Sequence, residues 1–103
     1  MVTELTNENF MSEISTGKVF IDIYATWCGP CKTLSPIVDE LSEQYEGIKF
    51  CKADAEEADE LAAHFKVRNL PTLIFMKDGE LIAKEAGAPN RKMLEERIIE
   101  RFN

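Results

Sequence analysis

No run of this sequence is apolar for long enough to cross a bilayer; the longest, around Leu73 to Met76, falls far short of the roughly 20 residues a spanning helix needs. Between Met1 and Phe10 no basic region is followed by a continuous apolar stretch, so an export signal is not expected and a cytoplasmic setting is. Internal repeats, low-complexity tracts and linkers rich in Pro, Gly and Ser are also missing. The 103 residues therefore show no internal boundary and predict a single domain over 1–103. Basic residues are few, twelve against nineteen acidic ones, for a formal charge of −7. A phosphate backbone or an anionic membrane surface would be repelled, which argues against nucleic-acid and membrane partners. Cysteine is scarce as well. Three residues are too few and too unevenly placed for a disulfide framework, and two of them, Cys28 and Cys31, sit in a CxxC pair that suits chemistry better than stapling.

What is present is the composition of a globular chain, 45% apolar and 30% charged, able to bury one core without disulfide staples or a structural metal. Strand and helix patterns alternate, which predicts an α/β architecture with helices packed on a sheet. Val19 to Ala25 is almost entirely apolar and β-prone, as a central strand covered on both faces must be, with Asp22 the exception. From about Cys31 to Tyr45, Leu34, Ile37, Val38, Leu41 and Tyr45 recur at helical spacing, with Pro36 inside the helix and Gly47 marking its end. Ile48 to Ala53 reads as a second strand and Glu56 to Phe65 as a shorter helix. Thr72 to Lys77 and Leu81 to Glu85 are two strands joined at Asp78-Gly79, a hairpin signal because these residues tolerate positive φ. Arg91 to Phe102 closes the chain as a helix with Leu94, Ile98 and Phe102 on one stripe, and a strand near Val2 to Leu5 with a helix near Glu8 to Ile14 opens it.

The chemistry concentrates in Trp27-Cys28-Gly29-Pro30-Cys31. Disulfide exchange needs one thiolate to attack and a second thiol close by to resolve the mixed disulfide, and two intervening residues supply that spacing. At a strand-to-helix junction Cys28 would lie at the helix N-terminus, where free N–H groups favour a thiolate. Gly29 is expected to relieve a Cβ clash in a tight turn, and Pro30 to preset φ in the first helical turn. Trp27 would offer an apolar face beside the reactive sulfur. The other reading of the pair is half of a zinc site, which Cys51 and His64 would have to complete. Cys51, between Phe50 and Lys52 on a strand, reads most simply as a small core residue, with a regulatory thiol as the alternative; His64 reads as a surface residue.

Trp-Cys-Gly-Pro-Cys-Lys after an apolar strand, with Pro36 beyond it, resembles the thioredoxin family. Asp22, Lys52, Leu70-Pro71-Thr72, the Asp78-Gly79 turn and Gly87 also fall where that family places comparable residues, so the likeness spans essentially the whole chain. The resemblance implies a thioredoxin fold, a central mixed β-sheet flanked by about four helices. It implies a protein-disulfide reductase, an electron carrier in cell redox homeostasis, with Cys28 the nucleophile and Cys31 the resolving thiol. Related isomerases and disulfide-forming oxidases generally carry His between the cysteines; Gly-Pro points to a reductant. By the same resemblance Asp22 is a buried carboxylate beneath Cys31 with Lys52 as its partner, and Pro71 is a cis-proline that turns Leu70 toward the active site. Leu70, Pro71, Gly87 and Trp27 would then meet the substrate.

Burial should raise the pKa of a carboxylate placed on an apolar strand, toward the range useful for proton transfer. A salt bridge between Asp22 and Lys52 that only satisfies a buried charge is the alternative, as is an ordinary trans-Pro71. The resemblance further implies that no cofactor binds, that an NADPH-dependent thioredoxin reductase restores the dithiol, that disulfide-containing client proteins are the substrates, and that the chain is a monomer. Tyr24, Thr26 and Asn69 depart from the commonest family pattern and bear on partner preference. A binding module with incidental thiols is the competing reading, because fold alone does not fix function.

Overall fold

The computed structural model describes all 103 residues. Nine elements follow in chain order: β1 (Val2–Glu4), α1 (Phe10–Glu13), β2 (Lys18–Tyr24), α2 (Gly29–Gln44), β3 (Ile48–Asp54), α3 (Asp59–His64), β4 (Thr72–Lys77), β5 (Glu80–Ala86) and α4 (Arg91–Phe102). The strands form one five-stranded sheet in the order β1-β3-β2-β4-β5. Parallel pairs join β1 to β3 and β3 to β2, whereas β4 runs antiparallel to both β2 and β5. The sheet is therefore mixed, with β2 at its centre.

Alternation along β2 sorts its side chains between two cores. Val19, Ile21 and Ile23 point to the face covered by α1 and α3, where they meet Phe10, Cys51, Leu61, Phe65 and Ile74. Phe20 points the other way, to Leu34, Val38 and Leu41 of α2 and Leu94, Ile98 and Phe102 of α4. Its ring contacts Phe50 and Phe75 at centroid distances of 5.5 and 5.2 Å. Because side chains alternate, Asp22 shares the α2 side of the sheet with Phe20, and Cys51 lies on the opposite side from Cys31. A strand apolar on both faces thus has a sequence reason and carries one charge toward α2.

Several boundaries differ from the sequence expectation. The helix expected over Glu56 to Phe65 begins only at Asp59, because Asp54 holds a turn first: its carboxylate accepts from the Glu56 N–H at 2.9 Å and its carbonyl from the Ala58 N–H at 2.7 Å. α1 is likewise only four residues. Gly47 does not cap α2, which ends at Gln44; Tyr45 takes the cap position, and Gly47 has no left-handed backbone. Between β4 and β5, Asp78 and Gly79 both have positive φ, +50° and +83°, as the hairpin signal required. That turn is tied to the segment before β2: Gly17 N–H donates to Asp78 Oδ1 at 2.8 Å and Asp78 N–H to the Gly17 carbonyl at 2.9 Å. A Cβ at Gly79 would stand 3.3 Å from the Ser15 carbonyl oxygen.

Candidate active site

The C-terminal end of β2 feeds directly into α2, and the CxxC pair occupies that junction. Cys28 is the N-cap of α2, with extended backbone (φ −85°, ψ 113°), and its Sγ accepts the Cys31 N–H at 3.3 Å. The helix N-terminus thus aims one of its free N–H groups at this sulfur, the arrangement that stabilises negative charge there. Pro30 stands in the first turn of α2, where its missing N–H leaves nothing unpaired. A Cβ at Gly29 would meet nothing within 4 Å, and its φ is not left-handed, so the clash expected there is absent. Cys28 and Cys31 form a disulfide with Cα atoms 5.3 Å apart. The two cysteines are 5% and 4% exposed, whereas the neighbouring Trp27 is 67% exposed.

A second chain segment packs on the pair, and a third is tied to that segment. Leu70 packs against Ala25, Cys28 and Cys31. The Leu70–Pro71 peptide bond is cis, and the Pro71 carbonyl accepts the Gly87 N–H at 2.9 Å, tying the third loop to the second. Gly87 sits at φ +101°, a conformation L side chains rarely adopt. Leu70 gives neither its N–H nor its C=O to any other part of the chain. An unpaired backbone beside the disulfide offers its N–H and C=O to a further strand.

Behind the disulfide lies a cavity of about 230 Å³ whose walls include Asp22, Thr26, Cys31, Ser35 and Lys52. Asp22 is 3% exposed, and its Oδ1 has no hydrogen-bond partner. Burial pushes its carboxyl up from 3.8 to about 7; Lys52 opposes that rise, while Asp39 and Glu4 add to it. Lys52 stands beside Asp22 in the β2–β3 register, yet no ion pair joins them; Lys52 Nζ instead meets Glu4 Oε1 at 3.9 Å. The cation acts on Asp22 through space, and the salt bridge considered as an alternative is not formed. Tyr24 edges the same cavity; its hydroxyl donates to Glu4 Oε2 at 3.3 Å, and burial together with the Glu4 charge lifts its pKa to about 12.

The remaining candidates lie elsewhere. Cys51 is fully buried in the α1/α3 core, where burial raises its thiol to about 12. His64 is exposed and lies edge-on to Phe10 and Phe65, with centroids 5.6 and 4.8 Å away. No group of three or more His, Cys, Asp or Glu side chains is placed to hold a metal ion. Sequence reasoning passed over Ser35 and assigned Thr26 no part in the cavity. The signal for Ser35 was its spacing, one helical turn after Cys31 on the same face.

Comparison with known proteins agrees with this geometry. The thioredoxin family model matches residues 1–100. Thioredoxin of Staphylococcus saprophyticus is 40% identical over 101 residues, 97% of this chain and 96% of that protein. Thioredoxin of Listeria monocytogenes is 39% identical over 99 residues, covering 95% and 96%. Among solved structures, oxidised mitochondrial thioredoxin 3 of Saccharomyces cerevisiae superposes with a TM-score of 0.87 at 40% identity, covering 96% of this chain and 94% of that one. A mixed sheet presenting a CxxC disulfide at a helix N-terminus defines a thiol-disulfide oxidoreductase, specifically a protein-disulfide reductase. The chain belongs to the thioredoxin family. Its redox group is the Cys28–Cys31 pair itself, as in thioredoxins generally, which carry no cofactor.

Proposed function

We propose that Cys28 is the attacking sulfur and Cys31 the resolving one in the reduction of protein disulfides, with Asp22 as the proton acceptor between them. The Cys28 thiolate attacks one sulfur of a client disulfide; that bond breaks, a mixed disulfide forms, and the first client sulfur leaves as a thiolate. Cys31 then gives its proton to Asp22, and its thiolate attacks the Cys28 sulfur. The second client thiolate departs, so the client gains two electrons and the Cys28–Cys31 disulfide is restored. The observation that carries this reading is the N-cap sulfur accepting the Cys31 N–H, with a buried carboxyl poised near neutrality in the same cavity wall as Cys31.

The client would lie as an extended segment along Leu70, whose backbone is unpaired, flanked by Pro71, Gly87 and the exposed Trp27. Backbone pairing gives affinity with little demand on client sequence. The family implies that thioredoxin reductase, an NADPH-dependent flavoprotein, returns the pair to the dithiol. The same family membership supports a cytoplasmic monomer of one domain; no helix is long and apolar enough to cross a membrane. Insulin reduction driven by dithiothreitol or by a thioredoxin reductase tests the reading. Turnover should vanish in Cys28→Ser, and Cys31→Ser should accumulate a mixed disulfide through Cys28. Equal rates in native and Cys28→Ser protein would defeat it.

A further inference from the structure

Three residues of α2 form one stripe, of which Cys31 and Ser35 line the cavity and Asp39 is exposed. Cys31, Ser35 and Asp39 follow each other at i, i+4 and i+8, the spacing that stacks side chains on one helix face. Cys31 and Ser35 both line the cavity that holds Asp22, and the Asp39 charge is felt by the Asp22 carboxyl. Elsewhere on α2, Leu34, Val38 and Leu41 enter the core, and the buried Ser42 differs from Ser35 in that its hydroxyl is paired, donating to the Asp39 carbonyl at 2.6 Å. A serine at the half-buried position 35 gives up apolar contact and places a hydroxyl on the wall of the cavity that also holds the Asp22 carboxyl. That hydroxyl makes no hydrogen bond to any part of the chain, although Ser35 is half-buried, and Asp22 Oδ1 likewise has no partner. Two unpaired polar groups therefore share one cavity, with room for solvent between them.

We propose that Ser35 is a positioning residue for the resolving step, its hydroxyl hydrogen-bonding to the Asp22 carboxylate, directly or through cavity solvent, as the carboxylate takes the proton from Cys31. This rests on the reading of Asp22 as proton acceptor. A hydroxyl is suited to the task because it donates to the carboxylate while Asp22 is ionised and accepts from it once Asp22 is protonated. The sulfur chemistry is unchanged: the proton moves from Cys31 Sγ to Asp22, the Cys31–Cys28 bond forms and the Cys28–client bond breaks. Thr26 also borders the cavity but sits in the loop before Cys28, off the helical face that carries Cys31.

The charged groups around Asp22 set the expected sign. Lys52 on β3 favours the ionised form; Asp39 on α2 and Glu4 on β1 oppose it; Lys32 of α2 and Tyr24 of β2 border the same cavity; β4 brings only Leu73 opposite. A donor to the ionised carboxylate acts in the same direction as Lys52, so removing it should raise the Asp22 pKa further.

The test is the rate of client release from a preformed mixed disulfide at Cys28, followed by rapid mixing from pH 5 to 9 in native protein, Ser35→Ala, Ser35→Thr, Asp22→Asn and the Ser35→Ala/Asp22→Asn double variant. Ser35→Ala should slow release about three- to tenfold at pH 7, the worth of one hydrogen bond, and move the midpoint of the pH profile upward. Ser35→Thr should restore both. In the Asp22→Asn background, Ser35→Ala should have no further effect, because the carboxylate it serves is gone. Alkylation of the Cys28 thiolate should proceed equally in native protein and Ser35→Ala. A Ser35→Ala profile superimposable on the native one, or a full Ser35→Ala effect persisting without Asp22, overturns the proposal. If Asp22→Asn itself leaves the profile unchanged, the proton-acceptor reading fails first and takes this inference with it.

Discussion

The two faces of the sheet each bury a titratable group, and the groups behave differently. On the α1/α3 face Cys51 is sealed among Ile21, Ile23, Leu61 and Ile74, and desolvation raises its thiol to about 12. It stays protonated at any physiological pH. On the α2 face Asp22 is almost as deeply buried, and desolvation is again the largest influence, but its carboxyl comes to about 7. The same physical effect silences one group and tunes the other, because a thiol starts high and is pushed out of range whereas a carboxyl starts low and is pushed into it. The second difference is access: Asp22 borders a cavity that also reaches Cys31, and Cys51 borders only packed side chains.

The comparison breaks most decisively if the wrong cysteine matters. Cys28→Ser should lower insulin reduction by at least about a thousandfold, as loss of a nucleophile does, while Cys51→Ala should leave the rate unchanged. Mass spectrometry after iodoacetamide treatment of the reduced native protein should show modification at Cys28 and none at Cys51; a labelled Cys51 would mean that the α1/α3 core opens. Removing the buried carboxylate sharpens the contrast through stability. The raised folded pKa means the native state holds its Asp22 proton between about pH 4 and 7 while the unfolded chain releases it, so stability falls as pH rises through that window. Asp22→Asn should therefore stabilise the fold by about 2–4 kcal/mol at pH 8 in denaturant titrations and by little at pH 4. The smallest change belongs to Lys52→Met. Loss of that cation should move the pH-dependent fall in stability upward by about half a unit to one unit, bringing Asp22 a step closer to the silence of Cys51.

Much of this was legible because it depends on local patterns. An apolar strand broken by one Asp, a CxxC pair at its end and a helical stripe after it gave the strand-to-helix junction, and the family resemblance set Asp22 beneath Cys31. Strand alternation also marked Cys51 as a small core residue, as the structure places it. The missed features depend on long side chains or on competition between neighbouring turns. Lys52 reaches Glu4 on the neighbouring strand β1 rather than Asp22, a choice no spacing rule contains. The late start of α3 follows from the Asp54 side chain capturing a backbone N–H. Gly47 invited a capping role by composition alone, but Tyr45 terminates α2 without a left-handed residue. Ser35 was overlooked because its spacing after Cys31 marks only a shared helix face, and that face gains meaning from the cavity beside it.

At the opposite end of the sheet from the disulfide, the Asp78-Gly79 hairpin is bonded through Asp78 to Gly17 in two directions, and Gly79 lies against the Ser15 carbonyl. Short polar hairpins are the usual choice for splicing in an epitope or a reporter. Here an insertion would pull out the clasp that holds β4 and β5 to the lead-in of β2, the strand on which Asp22 sits, so a tag placed there would disturb the redox end of the molecule from its far side.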